Sequence, residues 1–315
     1  MLAGARRLEK HALGRLVSLV ERDGDAARAR RAALFCELGR GGSPTGHVIG
    51  VTGTPGSGKS TLIGRVALHL LEHDPAVRIA ILAIDPSSLE SGGALLGDRL
   101  RTQFPPGEPR IFFRSQATQG DLGGVGRRTF AVTRLLRHLF DLVFVETVGI
   151  GQSEIEIRQL ADRIVLVMQP LAGDQIQFMK AGVMEIPDVF IVNKCDEAGL
   201  ARRSARDLKV SLGYARLGGT ARVEQPIFQT SATTGRGIPE LADFLHEATR
   251  RAPDRPGLRA RERYFLRKAV AERYGRFGVE ELERVSREWR PEWEERVTYE
   301  EREEAALRAI AGRVR

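Results

Sequence analysis

From His47 to about Arg250 the chain alternates between two patterns of apolar residues. Short, nearly continuous apolar runs occur at 47–53 (HVIGVTG), 78–85 (RIAILAID), 110–115 (RIFFRS), 142–147 (LVFVET), 163–170 (RIVLVMQP), 189–196 (VFIVNKCD) and 226–232 (PIFQTSA). Runs of this length, rich in Val, Ile and Phe, predict strands buried on both faces. Between them apolar residues recur every three or four positions, as on one face of a helix. The alternation predicts an α/β fold with a mostly parallel central sheet flanked by helices. Several runs end in a polar residue. In open sheets of this kind ligands sit beyond the carboxyl ends of the strands, so the chemistry is expected there.

The two ends of the chain depart from this alternation. Residues 1–46 read as a helical segment, with ALGRLVSLVERD and AARARRAALFCEL at helical spacing and GRGGSPTG as a turn-rich hinge into the first strand. Residues 253–315 are dense in Arg and Glu, with Tyr264, Phe265, Leu266, Ala269, Val270 and Tyr274 at helical intervals. They predict a helical extension that serves as a packing or dimerisation arm, with Pro291 separating it from a last helix. The central domain is then 47–252.

Composition narrows the class. A chain of 315 residues can bury a full core. Apolar runs fall short of a membrane span and charges interrupt the first 24 residues, so neither a transmembrane helix nor a signal peptide is expected, and the cytoplasm is the expected compartment. Cys36 and Cys195 stand alone, without a CxxC or Cys/His pattern, which argues against a disulfide framework or structural zinc. His69 and His73 share a helical face but lack a third ligand. The net charge of +8 is carried mostly by Arg interleaved with Glu, with few aromatics. That pattern fits a solvated, ion-paired surface better than a nucleic-acid or membrane partner.

GTPGSGKST, spanning Gly53, Thr54, Pro55, Gly56, Ser57, Gly58, Lys59, Ser60 and Thr61, matches GxxxxGK[ST] directly after a predicted strand and before a predicted helix. Glycines let backbone N–H groups turn inward around a β-phosphate, Lys59 reaches the β- and γ-phosphates, and the Ser60 hydroxyl suits Mg²⁺. NKCD, with Asn193, Lys194 and Asp196, ends a later strand, and TSATTG, with Ser231, Ala232 and Thr233, ends the next. A carboxylate at Asp196 accepts both N–H groups of guanine's Watson–Crick edge, and adenine offers the wrong pattern. Asp85, Asp98 and Glu146 supply further carboxylates, two of them ending strands. With Ser60 they form a candidate Mg²⁺ site, and Lys59, Asp98 and Glu146 are the candidate catalytic groups.

AIDPSSLESGGALLGDRLRTQ, GDLGGVGRRT, VETVGIGQSE, QPLAGDQIQFMKAGVMEIPD and NKCD together resemble the MeaB/ArgK family of P-loop GTPases over about residues 5–250. The resemblance implies a GTP-hydrolysing chaperone that gates cobalamin loading and protects or reactivates a cobalamin-dependent acyl-CoA mutase of the methylmalonyl-CoA mutase type. It implies GTP/GDP and Mg²⁺ as ligands, a homodimer, and an adenosyltransferase as a further partner. Glu146, where Asp is usual elsewhere, is this family's own choice. Gln152 lies three positions past Gly149, so no water-orienting group follows that glycine directly, and slow intrinsic turnover with stimulation by a partner is expected. The segment after Asp85 resembles a first switch, VGIGQSE a second, and residues 171–182, with Asp174, Gln175 and Lys180, a third. Two other readings are a P-loop kinase acting on a protein or small molecule, which NKCD argues against, and a nickel-delivery GTPase, which the missing Cys/His motif argues against.

Overall fold

The computed structural model describes residues 1–85, 104–105, 107–117, 125–147, 153–170, 186–217, 225–247, 249 and 255–313. By packing, the chain divides into two compact units. One comprises 45–126 and 139–252, and the other 1–44, 127–138 and 253–315.

The first unit is built on a seven-stranded sheet in the order β3-β2-β4-β1-β5-β6-β7, parallel at every described pairing. Its strands are β1 (His47–Gly53), β2 (Ile79–Asp85), β3 (Ile111–Ala117), β4 (Leu142–Glu146), β5 (Arg163–Met168), β6 (Val189–Val192) and β7 (Ile227–Gln229). Alternate residues point to opposite faces. Val165, Val167, Val189 and Ile191 join a core with Leu62, Ile63, Val66, Ile238 and Leu241, whereas Leu166, Met168, Phe190 and Val192 join one with Ala201, Leu208 and Leu212. Helices therefore cover both sides, which is why the strands read as unbroken apolar runs. The amino ends of the central strands β1 and β5 are held by aspartates, as Asp162 accepts from Val48 N–H at 2.8 Å and Asp188 from Ile164 N–H at 2.7 Å.

The last two strands are shorter than their sequence patterns suggest, ending at Val192 and Gln229 rather than at 196 and 232. The polar residues beyond them leave the regular ladder for other bonds. Asn193 N–H reaches Met168 O at 2.8 Å, and Cys195 N–H reaches Thr230 O at 2.9 Å.

The second unit is helical. It contains α1 (Leu2–Arg6), α2 (Lys10–Glu21) and α3 (Asp25–Arg40). In the sheet unit α4 is Lys59–His73, and the next helix in the chain, α5 (Arg127–Arg137), belongs again to the helical unit. Helices α6 (Ser153–Arg158), α7 (Ala198–Leu217) and α8 (Ile238–Glu247) return to the sheet, and α9 (Arg255–Arg287), α10 (Pro291–Arg296) and α11 (Tyr299–Ala311) complete the helical unit. Residues 127–138, inside the 47–252 stretch of the sequence reading, thus pack with the two terminal segments. Gly275, at φ 61°, interrupts α9. Pro291 opens α10 as its first residue, where a missing N–H costs nothing, so it starts a short helix beyond the end of the long one at Arg287.

The helical unit combines an aromatic core with buried charge. Phe130 stacks on Phe265 at 4.1 Å and meets Tyr299 edge-on at 5.2 Å. Arg134 lies over the Phe35 ring at 4.1 Å and pairs with Glu300 and Glu262. The Glu303 side chain is 1% exposed, with Arg127 at 2.9 Å and Arg31 at 3.4 Å. Burial alone would push the Glu262 carboxyl up, but Arg134, Arg302 and Arg259 more than offset this and hold it below the usual range.

Candidate nucleotide site

The loop from β1 to α4 leaves the central strand between β4 and β5. Gly53, at φ 139°, begins it so close to β5 that an added Cβ would lie 1.9 Å from Val167 O. Gly56 and Gly58 also have positive φ, at 77° and 87°, and a Cβ on Gly58 would lie 2.6 Å from Asn193 Nδ2. Both conformations are left-handed ones that other residues adopt at a cost. The loop closes on itself through Ser57 N–H to Thr54 O at 3.1 Å. Lys59 is buried, and its ammonium donates to Gly53 O at 2.9 Å and Thr54 O at 3.1 Å. Its positive charge is thereby held against the loop at the N-terminus of α4, where helix dipole and backbone N–H groups also favour an anion. The Ser57 hydroxyl is fully buried with no hydrogen-bond partner, a polar atom suited to accept or donate to a ligand in the loop.

Pairing of β1 with β4 sets Val51 opposite Glu146, and Thr147 N–H donates to Val51 O at 3.0 Å. That register brings the Glu146 carboxylate to the first turn of α4, where it accepts from Ser60 Oγ at 2.7 Å. A hydroxyl and a carboxylate, both hard oxygen donors, adjoin the phosphate loop there, and this donor chemistry fits Mg²⁺. Next to them, Thr147 Oγ1 donates to Thr52 Oγ1 at 3.0 Å in a buried contact. Asp85 ends β2, in register with Ala117 of β3. Among the described residues no cluster of three His, Cys, Asp or Glu side chains forms a metal site.

Asn193 ties three loops together. Its Nδ2 donates to Ser57 O at 2.9 Å, and its Oδ1 accepts from Thr230 Oγ1 at 3.1 Å and Ala232 N–H at 3.3 Å. Asp196 is exposed, and its Oδ1 accepts from Ser231 Oγ at 2.7 Å, while Ser231 Oγ accepts from Thr234 N–H at 3.1 Å. Thr233 follows in the same turn. Lys194 Nζ donates to Gln169 Oε1 at 3.0 Å. Cys195 is buried between them, and burial pushes its thiol up from its ordinary range.

The sequence-derived residues Gly53 to Thr61, Glu146, Asn193 to Asp196 and Ser231 to Thr233 all lie at the carboxyl edge of the sheet. Asp98, Gln152, Asp174, Gln175 and Lys180 lie outside the described residues. Gln169 and Thr230, which hold Lys194 and Asn193, were not among the sequence candidates. Gln169 carries the same signal that pointed to Glu146, being the polar residue that ends an apolar run.

A family model described as methylmalonyl-CoA mutase-associated GTPase MeaB matches residues 13–279. A Pyrococcus horikoshii protein named as a GTPase is 38% identical over 245 residues, covering 76% of this chain and 74% of that one. The mouse mitochondrial protein named methylmalonic aciduria type A homolog is 36% identical over 215 residues, covering 67% of this chain and 51% of its own length. The crystal structure titled LAO/AO transport system kinase superposes with a TM-score of 0.65 at 22% identity, covering 99% of this chain and 95% of that one, and so shares its fold. With the match running from α2 into α9, this chain belongs to the MeaB family and is a P-loop GTPase.

Proposed function

We propose that this GTPase is a chaperone that gates cobalamin loading into a cobalamin-dependent acyl-CoA mutase of the methylmalonyl-CoA mutase type, and that it protects or reactivates that enzyme. The family match over residues 13–279 carries this reading, because the family is described by its association with that mutase. In this reading Lys59 and the 53–61 loop hold the phosphates of GTP, and Asn193, Lys194 and Asp196 with Ser231, Ala232 and Thr233 hold guanine. Ser60 and Glu146, with Asp85 and Asp98, would hold Mg²⁺, which supplies charge neutralisation at the phosphates. The pairing of Ser60 with Glu146 at 2.7 Å supports placing both there.

Asp98, Gln152, Asp174, Gln175 and Lys180 are assigned to the segments that respond to the nucleotide. The γ-phosphate supplies the contacts that differ between the GTP and GDP forms, so the exchange is a population shift that a partner can read. A homodimer and an adenosyltransferase that passes on cobalamin belong to the same proposal.

The test is hydrolysis of GTP and ATP by the purified protein, with and without the cobalamin-dependent acyl-CoA mutases of its source organism. Slow turnover of GTP alone, accelerated by one mutase, is the expected result. Lys59→Ala should lower kcat by about 100-fold or more, the scale of losing a group that stabilises transition-state charge. Asp196→Asn should relax the preference for guanine. Equal use of ATP, or no response to any mutase, overturns the chaperone reading.

A further inference from the structure

We propose that Gln169 is a positioning residue for nucleotide binding, which holds the Lys194 side chain as one wall of the base site. The inference rests on the reading that the loops at 193–196 and 231–233 hold guanine, and it names a residue that this reading leaves out.

Two observations on the backbone lead to it. Lys194, at φ 60°, is one of two non-glycine residues with positive φ among those described. Such a conformation persists where the surroundings over-determine it. Here they do, because Asn193 N–H is bound to Met168 O at 2.8 Å and Cys195 N–H to Thr230 O at 2.9 Å, so the residue between them is pinned on both sides. The consequence is a directed side chain. Its Cε lies 4.0 Å from where a Cβ on Gly58 would be, which places the methylene stem beside the phosphate loop.

The far end of that stem is then tethered. Gln169 is the first residue beyond β5, the strand between β1 and β6, so the sheet delivers it to the same edge as Lys194. Its Oε1 accepts from Lys194 Nζ at 3.0 Å. A lysine stem has many rotamers and is a poor wall unless its end is held. An uncharged amide holds it without neutralising the ammonium, leaving that charge available near a polyphosphate.

A double-mutant cycle tests this, with affinity for ribose-labelled fluorescent GDP as the readout. Gln169→Leu removes the acceptor at similar volume and should weaken GDP binding roughly 3- to 10-fold, the range expected for one lost hydrogen bond. It should raise KM for GTP and leave kcat at saturation unchanged, as for a contact equal in ground and transition states. In a Lys194→Met background Gln169→Leu should cost nothing further. Wild-type affinity in Gln169→Leu, or the same loss in both backgrounds, overturns the proposal. Wild-type GDP affinity in Lys194→Met overturns the base-site reading beneath it, and this inference with it.

Discussion

At Gly53 a single carbon decides whether the phosphate loop can form, because the Cβ of any other residue would lie 1.9 Å from the Val167 carbonyl oxygen. The obstacle is backbone of the neighbouring strand and cannot swing aside. Gly53→Ala therefore combines a left-handed backbone with a collision, and it should destabilise the protein by about 3 kcal/mol or more. A fall in Tm of roughly 5–10 °C, seen by calorimetry together with loss of GDP binding, is the expected outcome. At this scale the sequence was highly legible, since GTPGSGKST names the loop and NKCD the neighbouring one. The joins between them were less so. Asn193 donating to Ser57 O, and Gln169 accepting from Lys194, depend on strand order, and no local pattern in one chain records which strands become neighbours.

Among the elements, α5 differs most from what its pattern conveys. Its apolar residues announce a helix with a broad buried face, and Thr129, Phe130, Ala131, Val132, Leu135 and Leu136 are all buried. Periodicity identifies a face but not its partner, and the partners here come from α2, α3, α9 and α11 of the helical unit. The seven strands were easier to read, because burial on both faces leaves a run that few other structures produce. Gly275 was missed, since a break in an Arg- and Glu-rich helix leaves no apolar gap to mark it, whereas Pro291 marked the boundary but not the short helix it opens. The buried charge around α5 gives this scale its prediction. Removing one partner of a buried pair costs about 3–5 kcal/mol because the other stays charged and unsolvated. Glu303→Gln takes the carboxylate from Arg31 and from Arg127, the latter keeping Glu272 at 3.7 Å, and should cost about 3 kcal/mol, the low end of that range, in denaturant unfolding. Glu304→Gln, next in sequence but in an exposed i,i+4 pair with Arg308, should change stability by less than about 0.5 kcal/mol.

For the whole molecule, stability should fall on mild acidification, through the end of α5. Burial, with Arg134, Arg137 and Arg6 nearby, lowers the His138 pKa from 6.5 to about 4. The unfolded chain then takes up a proton that the folded chain refuses, so the contribution is complete above pH 6.5 and is lost as pH falls toward 4. Thermal melts across that window should show Tm dropping. His138→Phe, packed beside Phe35, should flatten the drop. Glu262, with its lowered pKa, adds a loss in the same direction at still lower pH.

The return of α5 to the helical unit makes the chain pass between its two units four times, at 44/45, 126/127, 138/139 and 252/253. A nucleotide-binding domain bounded by one entry and one exit can be cut out by recombination and fused elsewhere. Here such a cut would carry Arg127 and Arg134 away from Glu303 and Glu300, stranding buried charges in both fragments. Duplication or fusion of this GTPase in evolution should therefore preserve the whole chain from α2 to α11. Among its descendants, shuffled modules should be rarer than intact copies.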